Sequence, residues 1–182
     1  MTDLDRLRRL LRERSLRRGE FVLASGVRST YYIDARLTTM SGVGQLLIGR
    51  VGLDALEEAR WQPEALGGLT LGADPVAYAI AHAAAAAGRP LDAFTVRKEA
   101  KDHGTGRLIE GPFPAGGAVV VVEDVVTTGG SALRAIEAVQ AAGGRVLGVL
   151  AVVERDPDGR ARLQAAGHEL RALTTAAELL AE

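Results

Sequence analysis

The feature that most constrains this 182-residue chain is the run from Val119 to Ile136, VVVVEDVVTTGGSALRAI. Four consecutive valines show no period-two alternation, so both faces of the strand they form must be covered. Strands of that kind belong to parallel sheets with helices on both sides. Two acids, Glu123 and Asp124, interrupt the apolar run near its carboxyl end, and TTGGS then leads into a helical stretch. In an open parallel sheet, ligands bind outside the carboxyl ends of the strands. The acids and the glycine turn therefore stand where such a fold places its chemistry.

The rest of the chain repeats the same alternation. ALGGLTL, LDAFTVR and RVLGVLAVVER read as further strands. PVAYAIAHAAAAAG reads as a helix with Pro75 at its first position and Gly88 at its end, and SALRAIEAVQAAGG as one closed by Gly143. Ser41 to Arg60 also has helical periodicity. Ahead of this core, Leu4, Leu7 and Leu11 predict an amphipathic helix ending near Gly19. EFVLASG and STYYIDAR predict a hairpin or small sheet. The expected architecture is α/β, an open parallel sheet flanked by helices, with residues 1–40 as a small N-terminal hood within one domain spanning 1–182. The polar, glycine-rich segment from Lys98 to Gly117 is long for a loop in a compact domain, and such loops usually carry function.

Glu123 and Asp124 point to opposite faces of their strand, which suits hydroxyl recognition, as on a ribose, better than acid–base work across one bond. In TTGGS, glycines turn backbone N–H groups inward, Thr127, Thr128 and Ser131 add hydroxyls, and the helix dipole favours an anion. The Gly-Lys-Ser/Thr ending of a Walker loop is missing, so a terminal monophosphate is the better fit. Acids before a phosphate nest suggest a phosphoribosyl group; a bare TTGGS could equally be an ordinary turn and N-cap. Arg97, Lys98, Lys101 and His103 can clamp a departing pyrophosphate, or form a solvated charged loop. They include the only two lysines among 22 basic residues. Arg155, after another strand end, can pair with a carboxylate, or be a surface arginine beside an Asp-Pro-Asp-Gly turn. LGADP, at the same sheet edge, can offer backbone to pyrophosphate or serve as a plain turn.

Composition excludes several alternatives. A net charge of −1 gives no general attraction to nucleic acid or anionic membrane, and the absence of cysteine removes disulfides and thiolate metal sites. The N-terminal residues have no apolar core of the kind a signal peptide or membrane span requires, so the expected location is the cytoplasm.

At this point the residues resemble a known family. VVVVEDVVTTGGSALRAI resembles the phosphoribosyl-diphosphate motif of type I phosphoribosyltransferases. VRKEAKDHGTGRLIEG, LASGVRSTYYIDAR and VVERDPDG are similar to the orotate phosphoribosyltransferases among them. The resemblance implies the reaction of orotate with phosphoribosyl diphosphate to give orotidine 5′-phosphate and pyrophosphate, a step of de novo pyrimidine (UMP) synthesis. It implies Mg2+ held mainly by substrate oxygens, with no protein metal ligands. It also implies a homodimer whose lysine loop reaches the neighbouring site.

Carried over by residue, Glu123 and Asp124 meet the ribose hydroxyls, and Val125, Val126, Thr127, Thr128, Gly129, Gly130 and Ser131 wrap the 5′-phosphate. Lys101 and His103, with Arg97, cross to the partner's pyrophosphate, and Lys98 acts in its own site. Thr127 and Arg155 contact orotate, with Tyr31 and Tyr32 near the base. Lys101, His103 and Asp124 are the expected catalytic groups. Two positions depart from many bacterial relatives, which have lysine where this chain has Ala24 and Asp74. The rival readings are a salvage phosphoribosyltransferase for another base, a phosphoribosyl-diphosphate-sensing regulator, and an unrelated nucleotide-binding α/β protein.

Overall fold

In the computed structural model, which describes residues 1–22, 26, 28–99 and 108–181, the valine run is the strand β6 (Ala118–Val126). Its neighbours are β3 (Ala65–Leu69) and β7 (Arg145–Glu154), both parallel to it. The larger sheet has the order β5-β4-β3-β6-β7-β8, where β4 is Asp92–Val96, β5 Ile109–Glu110 and β8 Leu170–Thr175. All pairings in it are parallel except β5 on β4. The double coverage expected from the valines is present. Val120 and Val122 join one buried cluster, while Val119 and Val121 join a second on the other face.

The first cluster is closed by α1 (Asp3–Arg14), α3 (Gly42–Glu58) and α4 (Ala73–Ala86). The second is closed by α5 (Gly130–Ala141) and α6 (Pro157–Ala165). Fully burying one such aliphatic side chain is worth roughly 1.5–3 kcal/mol, so the sheet is held from both sides. The chain runs from β3 outward to β4, then returns to the other side of β3 as β6. The connections leave β3 and β6 in opposite directions, which opens a crevice between their carboxyl ends.

Against the first face lie a two-stranded antiparallel sheet, β1 (Leu16–Val22) with β2 (Arg28–Ile33), and the short α2 (Arg36–Thr39). Leu7 and Leu11 of α1 are fully buried, as their spacing requires. The helix ends at Arg14, however, and Gly19 lies inside β1 rather than closing the helix. Tertiary pairing decides this: Leu16 pairs with Ile33, and the buried Ser15 hydroxyl meets Thr38 Oγ1 at 2.7 Å.

Two further expectations shift. The helix expected to start at Pro75 begins at Ala73; its first-turn N–H groups have no intrahelical partner, so proline is tolerated there. The Asp-Pro-Asp-Gly stretch taken as a turn is the start of α6. Asp156 caps it by accepting from Asp158 N at 3.0 Å, and Pro157 is the first helical residue. β8 and the closing helix α7 (Ala176–Leu180) have no counterpart in the sequence reading.

Candidate active site at the switch point

The carboxyl ends of β3 and β6 border a cavity of about 370 Å³, lined by Tyr32, Asp34, Arg36, Thr70, Leu71, Gly72, Lys98, Glu123, Asp124, Thr127, Ser131, Arg134 and Arg155, among others. A second hollow of about 130 Å³ adjoins it at the start of α5, lined by Glu123 and by 125–132. Gly129 takes a left-handed conformation (φ 73°) as N-cap of α5, and no side chain caps that helix. Its first N–H groups therefore face the hollow with no intrahelical partner, and the helix dipole adds to their pull on an anion. Glycine is needed at that φ because a Cβ would be strained there.

Glu123 and Asp124 diverge as strand geometry demands. Glu123 is 5% exposed, feels Arg134 of α5, and its Oε1 has no hydrogen-bond partner. Burial, reinforced by the Asp124 charge and opposed by Arg134, pushes its carboxyl up to about 8. Asp124 turns to the other side, against Gly72, where an added Cβ would lie 2.5 Å from Asp124 Oδ1. Its carboxyl is also raised by burial, while the Val125 N–H (2.8 Å) and Arg36 oppose the rise. An acidic oxygen without a partner beside an uncapped helix start asks for hydroxyl donors and an anion together.

Arg155 sits at the end of β7, and its N–H bonds Val126 O at 2.8 Å, which brings it beside Thr127. Its Nη2 donates to Ser29 Oγ (3.2 Å) and to Tyr31 O (3.4 Å), and the guanidinium lies 5.1 Å over the Tyr31 ring. Nε and Nη1 have no hydrogen bond of their own among the described residues. Tyr32 lines the cavity and packs against Phe21, with ring centroids 5.7 Å apart. Thus Tyr32, Glu123, Asp124, Val125, Thr127, Ser131, Lys98 and Arg155 converge on one cavity, with Tyr31 behind Arg155.

Arg97 is not among the lining residues. Its Nε donates to Glu99 O (3.3 Å), and Nη1 is 3.7 Å from Glu110. Lys101, His103 and Ala24 lie outside the described residues.

Sequence reasoning missed Arg36, Asp34 and Arg134. Arg36 and Asp34 form a forked pair on the cavity wall, Nε to Oδ1 at 2.9 Å and Nη2 to Oδ2 at 3.2 Å. Their signal was an acid and an arginine two apart just after a predicted strand. Arg134 had only its position in the first turns of a helix beginning at the glycine turn. Among the described residues no group of three or more acidic, histidine or cysteine side chains could hold a metal. The oxygens of Glu123 and Asp124 suit a hard cation that a ligand already carries. No helix of the described residues is long and apolar enough to cross a membrane.

No family model matches the chain. An orotate phosphoribosyltransferase of Mycobacterium avium is 48% identical over 177 residues, covering 97% of this chain and 96% of that protein. One of Aquifex aeolicus is 44% identical over 183 residues, covering 99% of each. The crystal structure of Mycobacterium tuberculosis orotate phosphoribosyltransferase in complex with 5-phospho-α-D-ribosyl 1-diphosphate is similar at a TM-score of 0.83. It is 43% identical, over 98% of this chain and 99% of that one.

Proposed function

This chain belongs to the orotate phosphoribosyltransferases, and from that premise we propose how its switch-point cavity carries out the reaction. The enzyme transfers the phosphoribosyl group from phosphoribosyl diphosphate to orotate, giving orotidine 5′-phosphate and pyrophosphate. The carrying observation is the uncapped start of α5 next to the partnerless Glu123 oxygen. The first fits the 5′-phosphate and the second fits a ribose hydroxyl.

Residues Val125 to Ser131 wrap the phosphate through backbone N–H groups and the Thr127, Thr128 and Ser131 hydroxyls. Glu123 and Asp124 take the ribose hydroxyls. Hydroxyl donors favour the ionised carboxylate, so substrate offsets the burial that holds Glu123 up. As the bond from C1 to pyrophosphate breaks, positive charge grows on the ribose ring, and the acids that line the cavity stabilise it. Lys98, which lines the cavity together with the turn at Leu71 and Gly72, takes the departing pyrophosphate in its own subunit.

Arg155 keeps its Nε and Nη1 edge for the orotate carboxylate, held in place by Ser29 and the Tyr31 ring. Thr127 offers its hydroxyl to the base, and Tyr32 lies near the base on the cavity lining. Mg2+ would be held mainly by substrate oxygens, with the Glu123 and Asp124 carboxylates as the acidic groups of the cavity beside it, and would supply charge neutralisation for the leaving pyrophosphate.

The proposal includes a homodimer in the cytoplasm, built as one domain over 1–182 with 1–40 as hood. An open groove of about 920 Å³ between α3 and α4 supports a subunit contact. It presents half-exposed Leu46 and Tyr78, with Val43 and Met40 exposed nearby. Arg97, turned away from its own cavity, fits a role with Lys101 and His103 in the partner's site.

The test is orotate depletion followed by ultraviolet absorbance with phosphoribosyl diphosphate and Mg2+, with adenine, hypoxanthine, guanine and uracil in parallel. Turnover of orotate alone is expected. Turnover of another base instead would overturn the substrate, and binding of phosphoribosyl diphosphate without turnover would favour a regulator.

A further inference from the structure

Asp74 lies in the first turn of α4, next to the cavity, where an exposed acid would repel pyrophosphate. The residue is instead only 9% exposed, and its carboxylate is turned towards hydroxyls of the 70–72 turn and of β4. Oδ2 accepts from Thr70 Oγ1 at 2.6 Å, and Oδ1 accepts from Thr95 Oγ1 at 2.9 Å. The Thr95 hydroxyl has one proton and gives it to the carboxylate, so the Tyr78 hydroxyl, 2.9 Å away, must donate to Thr95. Thr70 N also donates to Val96 O at 2.8 Å.

These bonds join two segments that both lead into the lining of the cavity. Thr70 opens the turn through Leu71 to Gly72, which packs against Asp124. Thr95 lies on β4, three residues before Lys98.

We infer that Asp74 is a positioning residue that braces the 70–72 turn against β4, and so fixes the gap between that turn and Lys98 where pyrophosphate binds. It acts through its hydrogen bonds and makes no contact with substrate. The inference rests on the site reading above. It explains how an acid is accommodated at this place: both oxygens are spent inside the protein. A misplacement of about 1 Å at such a gap can cost on the order of 10²-fold in rate.

Brace and charge predict opposite signs. The experiment measures phosphoribosyl diphosphate binding by calorimetry without orotate, then kcat and both KM values, for Asp74→Ala, Asp74→Asn, Thr95→Val and Thr95→Ser. Thermal midpoints are recorded alongside. Asp74→Ala is expected to weaken phosphoribosyl diphosphate binding about tenfold or more, with KM for orotate within about twofold. Asp74→Asn, which keeps one acceptor, should fall between. Thr95→Val should reproduce part of the loss and Thr95→Ser should restore it; this pair decides the matter if Asp74→Ala does not fold.

Tighter binding in Asp74→Ala would show a repelling charge and overturn the brace. So would an unchanged affinity, or equal losses for both substrates tracking the thermal midpoint. Because binding is read without orotate, failure of the orotate reaction in the unaltered protein would refute the proposed function separately.

Discussion

Replacing Glu123 by glutamine should make the free protein more stable and the enzyme worse. Glu123 is buried with one oxygen unpartnered, and its carboxyl is raised from 4.5 to about 8. A raised carboxyl means the folded state holds its proton more tightly than the unfolded chain. Stability is therefore full below about pH 4.5 and is lost as pH rises towards 8. At roughly 1.4 kcal/mol per pH unit, the loss at pH 7 is on the order of 3 kcal/mol. Glutamine does not titrate, so the stability difference between Glu123→Gln and the unaltered protein should widen by about that amount from pH 4.5 to 7. It should level off above about pH 8.

Urea denaturation across pH 5 to 9 reads this directly. The amide keeps one carbonyl acceptor, so phosphoribosyl diphosphate affinity should fall by about 10- to 100-fold, the worth of one hydrogen bond to a charged group. A stability difference that stays flat between pH 5 and 8 would refute the reasoning, because it would mean the buried carboxyl has no raised affinity for its proton.

Other perturbations follow from the same geometry. Arg155→Lys keeps charge but loses the planar fork and the stacking on Tyr31, so KM for orotate should rise about 10- to 100-fold while KM for phosphoribosyl diphosphate changes little. Gly72→Ala puts a Cβ 2.5 Å from Asp124 Oδ1, and either the turn or Asp124 must move. Its kcat should drop at least about tenfold with a thermal midpoint lowered only modestly, since the displaced atoms border the cavity rather than the core. Lys101→Ala should fold normally and lose roughly 10²–10³ in kcat, as for removal of one transition-state contact. Mixing Lys101→Ala subunits with Arg155→Ala subunits should recover activity if the lysine loop serves the partner's site, and none if it serves its own.

What is continuous along the chain was legible in the order of its residues. β6, its two acids, the glycine turn and the start of α5 are consecutive residues, so the strand's double burial and the anion-binding helix start follow from local pattern and spacing. Leu7 and Leu11 likewise declared the buried face of α1. What depends on chain segments meeting was decided only by tertiary structure. Arg14 rather than Gly19 ends α1 because Leu16 finds Ile33 across the hairpin. Arg36 and Arg134 reach the cavity because separate elements converge on it. Arg155 is aimed by Ser29 and Tyr31, more than a hundred residues away in sequence. Asp74 shows the difference most clearly. In sequence it is an acid where pyrophosphate should bind; in the fold, hydroxyls from Thr70 and Thr95 draw it inward. Local periodicity fixes which residues share a face, but the direction of a buried charge depends on donors brought to it by long-range packing.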